Sequence, residues 1–390
     1  MLGISLVVSF SDAVTADQQQ QWAASWSRCL HNNSIPPGRV ENAFDGLPFT
    51  AALSFNRHGV GTDTRQVRAA SFASLCERIT SQVTLIAIEM RAGAMTMLHA
   101  CGVADDSGAV LALVAESGTG KTTAASHLAQ TFGYVTDETV AIKADGAVLP
   151  YPKPLSVVAG GRGEPKRQVG PDELGLKPVR GHLRIRAIGL LDRVEEMRTP
   201  EIARVPLLDA VVELIPQTSS QSAIEKPLQS LCELILKIGG VRRITYSEAA
   251  DLEVALSDEF FAVEPGEQCA AAKWTPADIA GSDDHVPKGW LRRKPAIDAV
   301  ECEGDLLILN GLGVTRLTGI GPAIWRHSAQ ALTEGELLQL LEAEFGLPRD
   351  SGGVLEDVLE ELKSRELISR GPGASFWEGR TALGLINVGS

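Results

Sequence analysis

The sequence lacks any run of about 18 consecutive apolar residues, the length needed to cross a bilayer as a helix, so no membrane span is expected. It also lacks paired cysteines: Cys29, Cys76, Cys101, Cys232, Cys269 and Cys302 are scattered, with no CxxC spacing and no His at zinc-ligand distance. That argues against a disulfide framework or a structural zinc site and for buried free thiols in a reducing compartment. Basic charge is short as well. The chain carries 36 Lys and Arg against 49 Asp and Glu, a formal charge of -13. An acidic surface repels phosphate backbones, so nucleic acid is not an expected partner. The opening MLGISLVVSF is apolar but has no basic stretch and meets Asp12 at once, so it reads as a strand rather than a secretion signal. A cytoplasmic location follows.

What remains is a globular chain of 390 residues. At roughly 100–200 residues per domain, that length suggests two or three domains. Residues 1–98 read as a small α/β region. Leu6–Phe10, Ala51–Phe55 and Thr84–Ile88 have strand character, while Gln18–Leu30 and Ala69–Thr80 are helix-like. Residues 99–262 hold a buried-strand candidate at Val110–Ala115, a helix at Thr122–Thr131 and short strands at Tyr134–Thr136 and Thr139–Lys143. Asp145-Gly146 signals a hairpin into Val148–Leu149. Gly160–Arg167 looks like a mobile loop, and Ala187–Leu191 is a second buried strand ending at Asp192. Residues 263–294, with Pro265, Pro276 and Pro287 and no clean period, read as a linker.

The segment ALVAESGTGKTTAASHL is strand, glycine-rich loop, then helix, and Ala115–Thr122 has Walker A spacing with Ala115 in the first glycine position. Each part has a physical task. Gly118 and Gly120 permit the backbone angles that turn amide N–H groups inward as an anion nest. The following helix adds its N-terminal dipole. Lys121 reaches the β- and γ-phosphates, the Thr122 hydroxyl can ligate Mg²⁺, and Thr123 extends the turn. Glu116, Ser117, Gly118, Thr119, Gly120, Lys121, Thr122 and Thr123 are therefore the candidate nucleotide contacts, with ATP and Mg²⁺ as the expected ligands. An acidic metal partner at a neighbouring strand end is also needed. Asp137, followed by Glu138, is one candidate, and Asp192 is the other.

In this stretch the chain resembles the HPr kinase/phosphorylase-like P-loop family, related in fold to phosphoenolpyruvate carboxykinase. The matching features are Leu98-His99-Ala100-Cys101-Gly102-Val103 ahead of the loop, the loop form ESGTGKTT, the acidic pair Asp137-Glu138, and Pro152–Leu155 soon after. The resemblance implies transfer of the ATP γ-phosphoryl to a serine hydroxyl. It makes Lys121 and Thr122 the holders of phosphates and Mg²⁺, Asp137 the base near the acceptor, Glu138 a support for the metal, and His99 a residue near the γ-phosphate. Glu138 stands where the bacterial kinase has Asp, and Arg184-Ile185-Arg186-Ala187 lacks the acid of that family's downstream Ile-Glu-Ile-Arg-Gly stretch. Lys153, Lys166 and Arg167 are either charge-stabilising groups on loops or ordinary solvated cations.

Residues 295–370 form a further unit. A strand near Ala296–Val300 precedes a hairpin from Leu306 to Leu317 broken by Asn310-Gly311. Helices are expected at Gly321–Ser328, Glu334–Phe345 and Val354–Arg365, with Pro322 in a first turn and Thr333 and Glu336 as a capping box. Residues 371–390 read as a tail. Leu309-Asn310-Gly311, the run Gly319–Trp325, Leu332-Thr333 and Leu337 to Gly346 resemble the PqqD-like peptide-recognition domain, which implies a winged-helix-like α+β fold. It also implies capture of a leader peptide by strand addition at a sheet edge, beside the last helix. DNA, the other ligand of winged helices, fits poorly with 6 Lys and Arg against 14 Asp and Glu across 295–370.

Together these readings give an α/β P-loop domain of HPr kinase/PEP carboxykinase type, an N-terminal α/β region and a C-terminal winged-helix-like α+β domain. The expected activity is an ATP- and Mg²⁺-dependent kinase acting on a hydroxyl of a ribosomally made precursor peptide. Maturation enzymes of the same system are expected partners, and a homo-oligomer is left open. A nucleotide-gated peptide adaptor and a kinase for a small-molecule hydroxyl are the alternatives.

Overall fold

The computed structural model describes residues 2–30, 47–56, 61–116, 118–157, 166–261, 272–346 and 352–371. They form two units, one comprising Met1–Val205, Pro216–Ile224 and Ile238–Gln268, the other Pro206–Ile215, Glu225–Lys237 and Cys269–Ser390.

The first unit begins with β1 (Leu6–Phe10), α1 (Ala16–Ser25), β2 (Phe49–Phe55), β3 (Asp63–Ala69) and α2 (Phe72–Arg91). The three strands form an antiparallel sheet in the order β1-β2-β3. Thr84–Ile88, a strand by composition, lies inside α2. Leu75, Ile79, Val83 and Ile86 recur at helical spacing and are all buried, and that burial outweighs the local β preference of its branched residues. The hydroxyls of Thr80 and Thr84 donate back to the carbonyls of Cys76 and Thr80, both at 3.0 Å. The helix expected over Gln18–Leu30 stops earlier, with Trp26 as its C-cap.

Next come β4 (Thr96–Ala104), β5 (Ala109–Val114), α3 (Lys121–Leu128), β6 (Gly133–Thr136), β7 (Thr139–Ile142), β8 (Val148–Leu149), β9 (Leu155–Val157), β10 (Arg167–Val169), β11 (Lys177–Pro178), β12 (Arg184–Arg193) and β13 (Glu201–Val205). The large sheet runs β11-β6-β4-β5-β12-β14-β13, where β14 is Val241–Tyr246, and β7 and β8 extend it from β4. It is mixed: β5, β12 and β14 are parallel neighbours, whereas β4 is antiparallel to β5, β6 and β7. Gly189 permits the close spacing at its centre, since a Cβ there would stand 2.5 Å from Ile244 Cδ1 and 2.9 Å from Leu113 Cδ2. On one face, Ala124, Ala125 and Leu128 of α3 pack with Cys101, Leu111, Leu113, Ala187 and Ile244. The small alanines let the helix lie close to the sheet, and its first turn reaches Asp137, just past β6. The other core joins Met97, Ala141 and Tyr151 to the N-terminal strands, α1 and α2.

The second unit takes α4 (Leu207–Leu214) and α5 (Pro227–Lys237) from the stretch expected to belong to the nucleotide domain. After α6 (Leu252–Leu256) of the first unit, it continues with β15 (Trp274–Pro276), β16 (Trp290–Arg293), β17 (Asp298–Cys302), β18 (Asp305–Asn310), β19 (Gly313–Leu317), α7 (Gly321–His327), β20 (Leu332–Thr333), α8 (Glu334–Phe345), α9 (Gly352–Ser364) and β21 (Ile368–Arg370). An antiparallel sheet runs β15-β17-β18-β19 and a second runs β20-β16-β21. Thus the 263–294 stretch, expected as a linker, supplies two strands: β15 pairs with β17, and β16 with both β20 and β21. The buried carboxylate of Asp298 explains why α5 belongs here. Its Oδ2 accepts from the N–H groups of Leu228 (2.7 Å) and Gln229 (3.0 Å), at the helix start. The expected capping box is present: Thr333 and Glu336 satisfy each other's backbone N–H at the start of α8. Trp325 lies in the core, its Nε1–H donating to the Asp278 carbonyl at 3.2 Å. The tail beyond Gly371 is outside the described residues.

Cys76, Cys101, Cys232 and Cys302 are buried free thiols and Cys29 is a half-buried one; Cys269 lies outside the described residues. Among the described residues, no helix is long and apolar enough to cross a membrane.

Candidate functional site

The glycine-rich loop lies between β5 and α3, as its spacing requires. Gly118 and Gly120 have φ of 87° and 102°, and no atom lies within 4 Å of where a Cβ would stand at either position. The two glycines are therefore required by backbone angle, not by crowding. Thr119 folds the loop back, its N–H and hydroxyl both directed at the Glu116 carbonyl at 3.4 and 2.7 Å. Lys121 is buried at the first position of α3, and its Nζ donates to the carbonyls of Ala115 (2.5 Å) and Glu116 (3.1 Å). Burial pushes its ammonium below the ordinary lysine value, opposed by the carboxylates of Glu138 and Glu116. Thr122 is half-buried on the same turn and Thr123 is exposed. Ser117 lies outside the described residues.

The acidic pair sits between β6 and β7, at the stretch of β4 bounded by the pairings Gly102↔Thr136 and His99↔Thr139. The Thr136 hydroxyl accepts from the N–H groups of Glu138 (3.1 Å) and Thr139 (3.3 Å), and the Ala100 N–H donates to the Glu138 carbonyl at 3.2 Å. These bonds tie the backbone of the pair to the sheet. Asp137 reaches toward α3, where the Thr122 hydroxyl donates to its Oδ2 at 3.3 Å.

Lys153, expected as one of three loop cations, belongs to this cluster. It is fully buried, with Nζ 2.7 Å from Asp137 Oδ1 and 3.3 Å from Glu138 Oε2. Burial opposes its charge, and the Asp137 and Glu138 carboxylates more than offset that, holding it above the ordinary lysine value. Its placement has a local cause. The neighbouring Tyr151 is buried, exchanges a 2.8 Å hydrogen bond with Thr84 of α2, and donates its N–H to the Val135 carbonyl at 3.0 Å. Pro152 and Pro154 restrict the backbone on either side. Tyr134, also missed by sequence, closes the cluster: its hydroxyl meets Asp137 Oδ1 at 2.9 Å and the Lys153 carbonyl at 3.2 Å. Burial, then Asp137, pushes that phenol well above the usual tyrosine range, so it stays a donor.

His99 is brought to the same site. Burial and then the Lys121 charge pull its imidazole below the ordinary value, against the influence of Glu138 and Asp137, so it is neutral near pH 7. Other candidates are not brought in. Asp192, next to last in β12, is exposed, and strand alternation puts it on the face opposite Leu191 and Ala187, which pack with α3. Lys166 is exposed, and Arg167 lies in β10, paired with Glu173. The rest of the Gly160–Arg167 loop is outside the described residues.

The residues present fit a nucleoside triphosphate with Mg²⁺. The left-handed glycines, Lys121 and the helix start suit the phosphates. Thr122 beside Asp137 suits Mg²⁺, which takes one or two protein oxygens and fills its shell with phosphates and water. Among the described residues, no three His, Cys, Asp or Glu converge as a full protein cage for a metal.

In the second unit, a cavity of about 380 Å³ is lined by Leu312, Val314, Thr315, Glu361, Ser364 and Arg365. It lies between β19, the last strand of its sheet, and the end of α9.

Among solved structures, the HPr(Ser) kinase/phosphatase from Coxiella burnetii is similar over 42% of this chain and 91% of its own, at 14% identity and a TM-score of 0.23. No family model matches the chain, and no curated protein does.

Proposed function

We propose that the chain is an ATP- and Mg²⁺-dependent phosphotransferase acting on a hydroxyl, and that the acceptor is carried by a peptide bound through the second unit. One observation carries the enzymatic part: the P-loop threonine and a buried, ion-paired carboxylate meet at 3.3 Å beside a second carboxylate that solvent can reach. A loop that only held nucleotide would need the first carboxylate and not the second.

ATP would supply the phosphoryl group, and Mg²⁺ would offset charge on its phosphates. The chain's own residues bind and orient. Lys121 and the loop N–H groups hold the phosphates, Thr122 and an acid hold the metal side, and the other acid takes the acceptor's proton. The acceptor O–H bond breaks as its oxygen bonds to the γ-phosphorus, and the bond to the bridging oxygen breaks with its electron pair leaving on ADP. Such transfer rests on positioning and charge stabilisation.

The peptide part is supported by the edge of β19, which pairs with no further strand among the described residues, and by the cavity beside α9, a place where an extended chain could add as a strand. Holding the peptide in the same chain as the P-loop raises the acceptor's effective concentration. Incubation with ATP, Mg²⁺ and a short serine-bearing precursor peptide should give a peptide heavier by one phosphoryl group. Nucleotide-dependent peptide binding without phosphopeptide would overturn this in favour of an adaptor. Transfer to a free small-molecule hydroxyl, with the peptide unchanged, would overturn the peptide part alone.

A further inference from the structure

The family resemblance makes Asp137 the base and Glu138 the metal support; the geometry points to the reverse. We infer, resting on the phosphotransferase reading, that Asp137 serves the metal side of the site, that Glu138 is the carboxylate meeting the acceptor hydroxyl, and that Lys153 and Tyr134 are positioning residues for this division.

Access is the first argument. The Asp137 side chain is 2% exposed and that of Glu138 is 39% exposed. A base has to come within about 3 Å of the proton it accepts, and the acceptor arrives from outside the chain. Glu138 can be met from solvent, and Asp137 is sealed.

Direction is the second. Asp137 Oδ1 is taken by Lys153 Nζ at 2.7 Å and the Tyr134 hydroxyl at 2.9 Å. These two fix the carboxylate so that Oδ2 faces Thr122 Oγ1. Accepting the hydrogen bond from that hydroxyl leaves the Thr122 oxygen lone pairs for a cation, so Asp137 and Thr122 act on the same ligand. Asp192, exposed and on the opposite face of β12, does not compete for this place.

Charge is the third. Lys153 is shared unequally, 2.7 Å from Asp137 and 3.3 Å from Glu138. The tighter pairing fixes the buried acid in place, and the looser one leaves the Glu138 side chain able to turn toward a substrate. In the transfer step Glu138 takes the acceptor's proton as the new O–P bond forms and ADP leaves with the electrons of the broken bond.

The test uses the full chain with Asp137→Asn, Glu138→Gln and Tyr134→Phe, and ADP or ATP titrated calorimetrically with and without Mg²⁺. Turnover is followed as ADP released with the precursor peptide as acceptor. Asp137→Asn should abolish most of the affinity that Mg²⁺ adds, about 10- to 100-fold for a group that supports a metal ligand. Tyr134→Phe, which keeps the buried charges, should lose part of the same Mg²⁺-linked affinity and covers the case in which Asp137→Asn fails to fold. Glu138→Gln should keep the Mg²⁺-linked affinity and the KM for ATP while kcat falls about 10²- to 10⁴-fold. The opposite pattern, with Mg²⁺-linked affinity lost in Glu138→Gln and kept in Asp137→Asn and Tyr134→Phe, overturns the division, as does equal loss in all three. A wild-type protein that binds Mg²⁺-nucleotide but yields no product sinks the phosphotransferase reading and Glu138's part with it, while the Mg²⁺ arm still decides Asp137.

Discussion

Lys153 Nζ stands 2.7 Å from Asp137 Oδ1, with the lysine fully buried and the aspartate nearly so. Two charges taken from water need each other more than the fold needs them. Replacing both with apolar groups can be neutral, whereas removing one leaves the other uncompensated. Lys153→Met is therefore expected to destabilise the protein by about 3–5 kcal/mol. Adding Asp137→Leu to Lys153→Met should recover much of that loss. Urea denaturation of the two single variants and the double variant checks it, and additive losses would show that the pair is not coupled.

Gly120 has φ of 102° with open space around it, so an alanine there meets no neighbour and suffers only from its backbone angle. Gly120→Ala should cost about 1–2 kcal/mol. Because the loop's amides are aimed by that angle, nucleotide affinity should fall together with stability. Thermal melts with and without nucleotide would read both, and an unchanged ligand-induced shift would separate loop geometry from binding.

Asp298 joins a strand to the start of a helix about 70 residues earlier. Besides the two α5 N–H groups, its Oδ1 accepts from Gln229 Nε2 at 2.8 Å and Ala299 N–H at 2.9 Å. Asp298→Ala strands several buried donors and should destabilise by about 2–3 kcal/mol. Hydrogen exchange should show faster opening of α5, a segment that a merely local role for Asp298 would leave protected.

Arg370 gathers Glu334, Glu356 and Glu360 at the end of the chain's last described strand. Its hydrogen bonds hold the Glu356 carboxyl below the ordinary glutamate value, against a smaller effect of burial. A depressed folded value gives stability that is fully present above the unfolded pKa, about 4.3, and is lost as pH falls through the lower folded value. Acid unfolding of this unit should therefore be less steep in Glu356→Gln than in wild type. Melting curves from neutral pH down through the carboxylate range check the sign.

What the sequence discloses depends on how local the cause is. The strand, glycine loop and helix around Lys121 are written in contiguous residues, and so are the Asn310-Gly311 hairpin and the Thr333–Glu336 capping box. Thr84–Ile88 misleads because branched residues prefer strands only until a long buried stripe organises them as helix. Asp192 follows a true buried strand, but nothing local tells which face its side chain takes. Lys153 sits between two prolines in a segment that reads as loop. Its burial comes from Tyr151 meeting Thr84, 67 residues away. The place of α4 and α5 in the second unit is legible only through contacts such as that with Asp298.

That last placement governs the order of events during synthesis. β13 and β14 are hydrogen-bonded neighbours, yet α4 and α5 lie between them in the chain and belong to the other unit. On the ribosome these helices emerge long before β17, and their apolar residues, including Leu207, Val211, Leu228 and Leu231, have no sheet to cover until Asp298 has been added. Nascent domains commonly fold as units from the N-terminus, and exposed apolar surface is where such folding goes astray. A polypeptide stalled between Lys237 and Asp298 would thus present sticky helices, and chaperone capture should concentrate in that window of elongation.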